Sequence, residues 1–201
     1  ITQGDIDALR STDVVAAAIN TYFTPNLPGL SGISSFTFSS VQGNLMANGF
    51  SGTPNFPSVL AHEIGHYFDL FHTHETAFGV ELVNGSNCTF AGDRLCDTPA
   101  DPLLGFGNVS TSTCTYTGSA TDPNGDPYAP DPTQIMSYSP STCALVFSPQ
   151  SETKAVNVLL GSRPELLSRG CGAITPPTLT AITPPTGFQD QTKDVVLIGT
   201  N

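Results

Sequence analysis

A chain of 201 residues suffices for one domain of ordinary size with a real core, or one domain and a fragment of another. Its 6 Lys and Arg face 17 Asp and Glu, and the net charge of −11 without a basic cluster excludes a nucleic-acid binder and argues against attraction to anionic lipid. Charged residues are 11% and hydrophobic ones 38%, which is not a disorder composition, while 19 glycines and 17 prolines predict many loops.

In chain order, residues 5–18 (DIDALRSTDVVAAA) carry helix formers and an alanine run, with Ser11 or Thr12 as caps. Residues 19–23 read as a strand closed by the turn residues PNLPG, and 32–38 (GISSFTF) as a second strand with apolar and serine positions alternating. Residues 44–49 (NLMANG) suggest a short edge strand, which around Leu45 to Asn48 would hold a peptide in extended form. Residues 58–70 make the most regular helix: Ser58 can cap it, and Leu60, Ile64, Phe68 and Phe71 recur at helical spacing. Residues 73–147 show little periodicity and hold Cys88, Cys96, Cys114 and Cys143; so long an irregular stretch is uncommon unless functional or stapled. A last helix starts at Pro149 behind a Ser148 cap and stops at Gly161.

Composition changes at residue 173, which divides the chain into a domain over 1–172 and a segment over 173–201. The latter, with ITPPTLTAITPPTGF and a terminal VVLIG, resembles the opening of an immunoglobulin-like domain of the IPT/TIG kind. A Pro/Thr linker ending in a stray strand is the equal alternative, and the segment is too short for a sandwich of about 100 residues.

The five cysteines, counting Cys171, form no CxxC pair, which disfavours a thiolate zinc site and suits disulfides in an oxidising compartment. Their connectivity is not readable from spacing, and the odd count leaves one thiol free or paired outside this chain. Asn84, Asn87 and Asn108 open glycosylation sequons. No apolar run approaches the roughly 20 residues of a membrane span, and no signal peptide is visible, so Ile1 is expected to begin a processed chain.

The chemistry concentrates in His62-Glu63-Ile64-Gly65-His66. Two histidines four apart lie one above the other on a helix, so both imidazoles can reach a single ion. Glu63 is rotated by about 100°, which lets its carboxylate face a metal-bound water, whose pKa zinc lowers to about 7. A catalytic zinc needs a third protein ligand and an open position. His72 is the first candidate, His74 the reserve, and Asp69 or Glu75 more distant ones. Six residues beyond His66 is about 240° further round, so the helix must break after Phe68 for His72 to return. Asp69 stands where a glycine with positive φ would serve, and Asp tolerates the left-handed region at a cost of about 1 kcal/mol.

The segment from His62 to His72 resembles the extended zinc motif of the metzincins, with Asp69 in place of its glycine. Gln134-Ile135-Met136-Ser137-Tyr138 resembles their Met-turn, and Cys143 with Phe147-Ser148-Pro149-Gln150 is similar to the segment beyond that turn in the pappalysin (cytophagalysin) branch. Gly92-Asp93-Arg94-Leu95-Cys96-Asp97-Thr98-Pro99 is similar to that branch's GD…DTP loop. The resemblance implies an α+β metzincin-like zinc protease domain with a small mixed sheet, an active-site helix and an irregular, disulfide-stapled C-terminal subdomain. It implies zinc on His62, His66 and His72, Glu63 as general base, Met136 as a floor beneath the metal and Tyr138 as an oxyanion donor, with Asp97 and Thr98 ordering their loop. Read alone, Met136 is an ordinary core residue, and a core tyrosine is the alternative for Tyr138.

Relatives of this kind often carry structural calcium, and Asp122-Pro-Asn124-Gly-Asp126 offers oxygens at alternate positions, although a plain Asn-Gly turn explains it as well. The expectation is a secreted endopeptidase acting on a protein or peptide, with a cleft between an N-terminal sheet-and-helix part and an irregular C-terminal part of the protease domain, and its oligomeric state open. The alternatives are a catalytically inactive zinc-binding adhesion module, a peptidase with a downstream glutamate as third ligand, and a zinc hydrolase of a non-peptide amide.

Overall fold

The computed structural model describes residues 2–51, 53–168, 178–183 and 196–200. It divides into two compact units, Ile1–Ser168 and Arg169–Asn201. In the second, Thr178–Thr183 pairs antiparallel with Val196–Thr200. The rest of the expected immunoglobulin-like segment, and Cys171, lie outside the described residues.

The first unit opens with helix α1, Gln3–Arg10, whose N-cap Thr2 and Asp5 satisfy each other's backbone amides in a capping box. The helix is shorter than the predicted 5–18. Ser11 and Thr12 hydroxyls bond back to the carbonyls of Asp7 and Ala8, and Asp13 and Ala17 take positive φ. Side chains that compete for backbone groups end the helix, and the alanines beyond have no apolar face to extend it.

A three-stranded sheet follows in the order β1-β3-β2, formed by β1 (Thr21–Thr24), β2 (Gly32–Ser34) and β3 (Asn44–Ala47). β1 runs parallel to β3, and β2 antiparallel to it with Ile33 opposite Leu45. The central strand is therefore β3, not an edge, and it cannot accept a peptide. All four of its residues are buried, and such a strand belongs in the middle of a sheet. The edges are β1 and β2, and β2 is the one that lines the cleft beside α2. Leu45 and Ala47 form one core cluster with Ile6 of α1 and Leu27.

Helix α2, Val59–Tyr67, packs on β2 and β3. Its Ser58 makes no side-chain cap; that hydroxyl instead meets Ser141, 83 residues on. A second core cluster, Leu70 with Ile135 and Met136, packs against Ala61 and Phe147. Much of the segment after α2 is turns, apart from the short hairpin of β4 (Val109–Ser110) and β5 (Thr115–Tyr116). Disulfides Cys88–Cys96 and Cys114–Cys143 staple it. Helix α3, Pro149–Gly161, has its Ser148 cap on the Ser151 amide, and a short α4, Glu165–Ser168, follows. Between them Arg163 sends Nε 2.7 Å to the Tyr67 carbonyl, so the C-terminal part closes the end of α2. Among the described residues, no helix is long and apolar enough to cross a membrane.

Candidate metal centre

His62 and His66 stand one turn apart on α2, and the chain must reverse to bring a third group beside them. The reversal is a Schellman turn: Asp69 donates its amide to the His66 carbonyl and Leu70 to that of Gly65. Asp69 holds the left-handed position with φ +60°. His72 follows directly, and the neighbouring Thr73 amide reaches the Met136 carbonyl at 3.1 Å.

The outcome is that three ring nitrogens face one another. His72 Nε2 lies 3.0 Å from His66 Nε2 and 3.2 Å from His62 Nε2. On the far sides, His62 Nδ1 donates to the Ile135 carbonyl at 2.7 Å and His66 Nδ1 to the Leu70 carbonyl at 2.8 Å. A carbonyl can only accept, so these protons sit on Nδ1 and the Nε2 lone pairs point inward. Burial foremost, then neighbouring imidazoles, pushes His66 down to about 3 and His72 to about 2, and burial also lowers His62. All three rings are neutral at pH 7. The Nε2 lone pairs of His62 and His66 thus converge with His72 Nε2 at 3.0–3.2 Å, an arrangement that a cation at their centre would stabilise. The donor set is one that zinc takes readily, and among the described residues it is the one such cluster of three.

Glu63 is buried with only 6% of its surface exposed, yet it lines the same cleft as the triad. Burial pushes its carboxyl up to about 8, opposed by Arg10. Met136 packs beneath Gly65 in the turn of α2, where any Cβ would run into its sulfur. Tyr138 is half exposed, with its ring 4.6 Å from that of His72 and 6.1 Å from that of His62. Burial, then the charges of Glu63 and Glu75, raises its hydroxyl pKa, so it remains a donor. His74 does not join the triad; it stacks on the outer face of His72 at 4.8 Å.

The cleft holds about 650 Å³ and runs between β2, α2 and the segment 135–144. Among the described residues, Glu63 and Glu75 are the acidic side chains that line it, and no Lys or Arg does. Two positioning residues escape a reading of the sequence. Arg10 sends Nη2 2.8 Å to the Ile33 carbonyl and so anchors β2 from behind. Gly32 passes so close to Glu63 that a Cβ there would lie 2.7 Å from its Cγ. Neither shows a motif, because both act through contacts remote in sequence.

The DTP loop is ordered from within by the Thr98 hydroxyl, which bonds to the Asp93 carboxylate, and from α3 by the Gln150 amide, which donates to Asp97 at 2.8 Å. Asp122 is committed to the amides of Val83, Asn124 and Asp126, the pattern of an Asn-Gly turn. Its carboxylate gives no support to calcium there.

The family model of the M43 peptidases, described as pregnancy-associated plasma protein-A, matches residues 14–148. Two extracellular metalloproteases of Colletotrichum graminicola are each 27% identical, over 73% and 69% of this chain and 50% and 48% of their own. The chain thus spans about half the length of the curated relatives it matches. Among solved structures, mature mirolysin of Tannerella forsythia in complex with a cleaved peptide aligns with a TM-score of 0.57 at 17% identity, over 83% of this chain and 64% of that one. That likeness extends the match to the α+β metzincin fold.

Proposed function

The chain belongs to the M43 family of metzincin metalloproteases, and on that premise we propose that it is a secreted zinc-dependent endopeptidase with Glu63 as its general base. The observation that carries this reading is the convergence of His62, His66 and His72 through Nε2, with Glu63 in the same cleft. Zinc bound there would supply Lewis acidity, lowering the pKa of water to about 7 and polarising a carbonyl.

The protein's own groups do the rest. The free edge of β2 offers backbone donors and acceptors along the cleft, so an extended peptide adds there as a further strand. Glu63 takes the proton of the attacking water and returns it to the leaving amine. A nearby cation favours the ionised carboxylate and opposes the burial that holds Glu63 at about 8. The Tyr138 hydroxyl donates toward the negative charge that develops on the substrate oxygen. Two disulfides and the extracellular relatives support secretion.

Chelation tests the reading. Loss of casein cleavage with 1,10-phenanthroline, restored by stoichiometric zinc, is expected; cleavage that survives complete removal of metal would overturn it.

A further inference from the structure

We propose, building on the endopeptidase reading, that Phe36 and Phe71, continued outward by Phe38, form a subsite for an aromatic or large apolar substrate side chain on the N-terminal side of the scissile bond.

Phe36 and Phe71 both line the cleft, with ring centroids 5.3 Å apart. Phe36 lies 5.3 Å from the His66 ring on one side and stacks on Phe38 at 5.1 Å and 6° on the other. Phe38 is 75% exposed. A lone exposed phenylalanine means little. Here the exposed ring continues an aromatic wall that begins beside the metal ligands. Covering such a wall with an apolar side chain gains hydrophobic burial and ring–ring contact together.

The wall is braced from behind. Phe78 packs edge-on to Phe71 at 4.9 Å, and Arg94 caps Phe78 at 3.7 Å. The segment that carries Phe36 and Phe38 is also clamped: Thr37, between them, donates its amide to Asp69 Oδ1 at 2.8 Å and its hydroxyl to Oδ2. Asp69 is the residue that departs from the glycine of the metzincin motif. Its carboxylate ties the aromatic loop to the turn that delivers His72, so the rings are ordered before a substrate arrives.

Direction comes from β2. That strand runs from Gly32, beside Glu63, toward Phe36. A peptide pairing antiparallel with its free edge places residues N-terminal to the reacting carbonyl near Phe36.

Two peptides that differ only by Phe or Ser two and three positions before a common cleavage site test this on the zinc-loaded full chain. The expected kcat/KM ratio is roughly ten-fold in favour of Phe, carried by KM, falling to about two-fold in Phe38→Ala and in Phe71→Leu. Phe38 is on the surface and Phe71→Leu keeps an apolar side chain, so both variants fold. Equal kcat/KM for the two peptides, a ratio unchanged by Phe38→Ala, or a preference located after the scissile bond would each overturn the proposal. Affinities of both peptides for the Glu63→Ala protein, read by fluorescence anisotropy, separate this from the peptidase reading. A Phe preference in binding without cleavage by wild type keeps the subsite and removes the endopeptidase, whereas cleavage without preference removes the subsite alone.

Discussion

The carboxylate of Asp69 accepts both the amide and the hydroxyl of Thr37, across 32 residues, while its own backbone sits in the left-handed region at φ +60°. A glycine relieves the backbone cost of about 1 kcal/mol but loses both bonds, each about 1.5 kcal/mol or more to a charged acceptor. Asp69→Gly is therefore expected to lose stability by about 1–2 kcal/mol, Asp69→Ala about 3 because it keeps the strain, and Asp69→Asn least. Denaturant midpoints rank them; an Asp69→Gly protein more stable than wild type would contradict the clamp.

Gly65 lies inside α2, where alanine is ordinarily favoured by about 1 kcal/mol. The Met136 sulfur occupies the space its Cβ would need, and Phe147 closes the other side. Gly65→Ala is expected to destabilise by about 1–3 kcal/mol and to weaken zinc binding, since α2, which carries His62 and His66, must shift against Met136. Urea unfolding with zinc titration measures both, and a gain in stability would refute the packing account.

Gly32 needs no special φ; close approach alone dictates it. A methyl there would meet Glu63 Cγ and Met46 Sδ at 2.7 Å. Displacing a general base by a fraction of an ångström costs roughly 10- to 100-fold in turnover. Gly32→Ala should lose that much kcat while its zinc content stays at the wild-type level. Full kcat would show that the backbone yields instead.

Glu81 and Asp93 form a buried acidic pair outside the triad, and Glu81 Oε2 has no hydrogen-bond partner among the described residues. Burial, then the charge of Asp93, pushes Glu81 up to about 8; burial pushes Asp93 up to about 6 against the Leu95 amide and Thr98 hydroxyl. Raised carboxyls keep protons that the unfolded chain releases, so stability falls as pH rises from about 4.5 through 8. Glu81→Gln should flatten this decline, recovering on the order of 2 kcal/mol at pH 8.5 and little at pH 4.5. Thermal unfolding across this range decides, and a Glu81→Gln protein with the wild-type pH dependence would sink the assignment.

Legibility in the sequence tracks how local each cause is. The Ser148 cap, Pro149 and Gly161 bound α3 by groups within a few residues, and its limits are legible. The turn at Asp69 comes from angular arithmetic on His66 and His72, which demands a reversal whatever the rest of the fold does. The centrality of β3 is not legible, because edge or centre depends on β1 and β2 pairing from both sides. Nor are Arg10 behind β2 or Gly32 against Glu63, since each joins segments far apart in sequence, and the cystine pairs are hidden because spacing alone does not choose among partners. The early end of α1 is hidden because Ser11 and Thr12 also suit a helix cap, and only their bonds to Asp7 and Ala8 show that they close it.

The most direct measurement is the zinc content of the purified chain beside its cleavage of casein, for wild type and Glu63→Ala. One zinc per chain in both proteins, with cleavage lost only in Glu63→Ala, is the predicted result. No zinc in either protein, or cleavage that persists without the Glu63 carboxylate, would contradict the account.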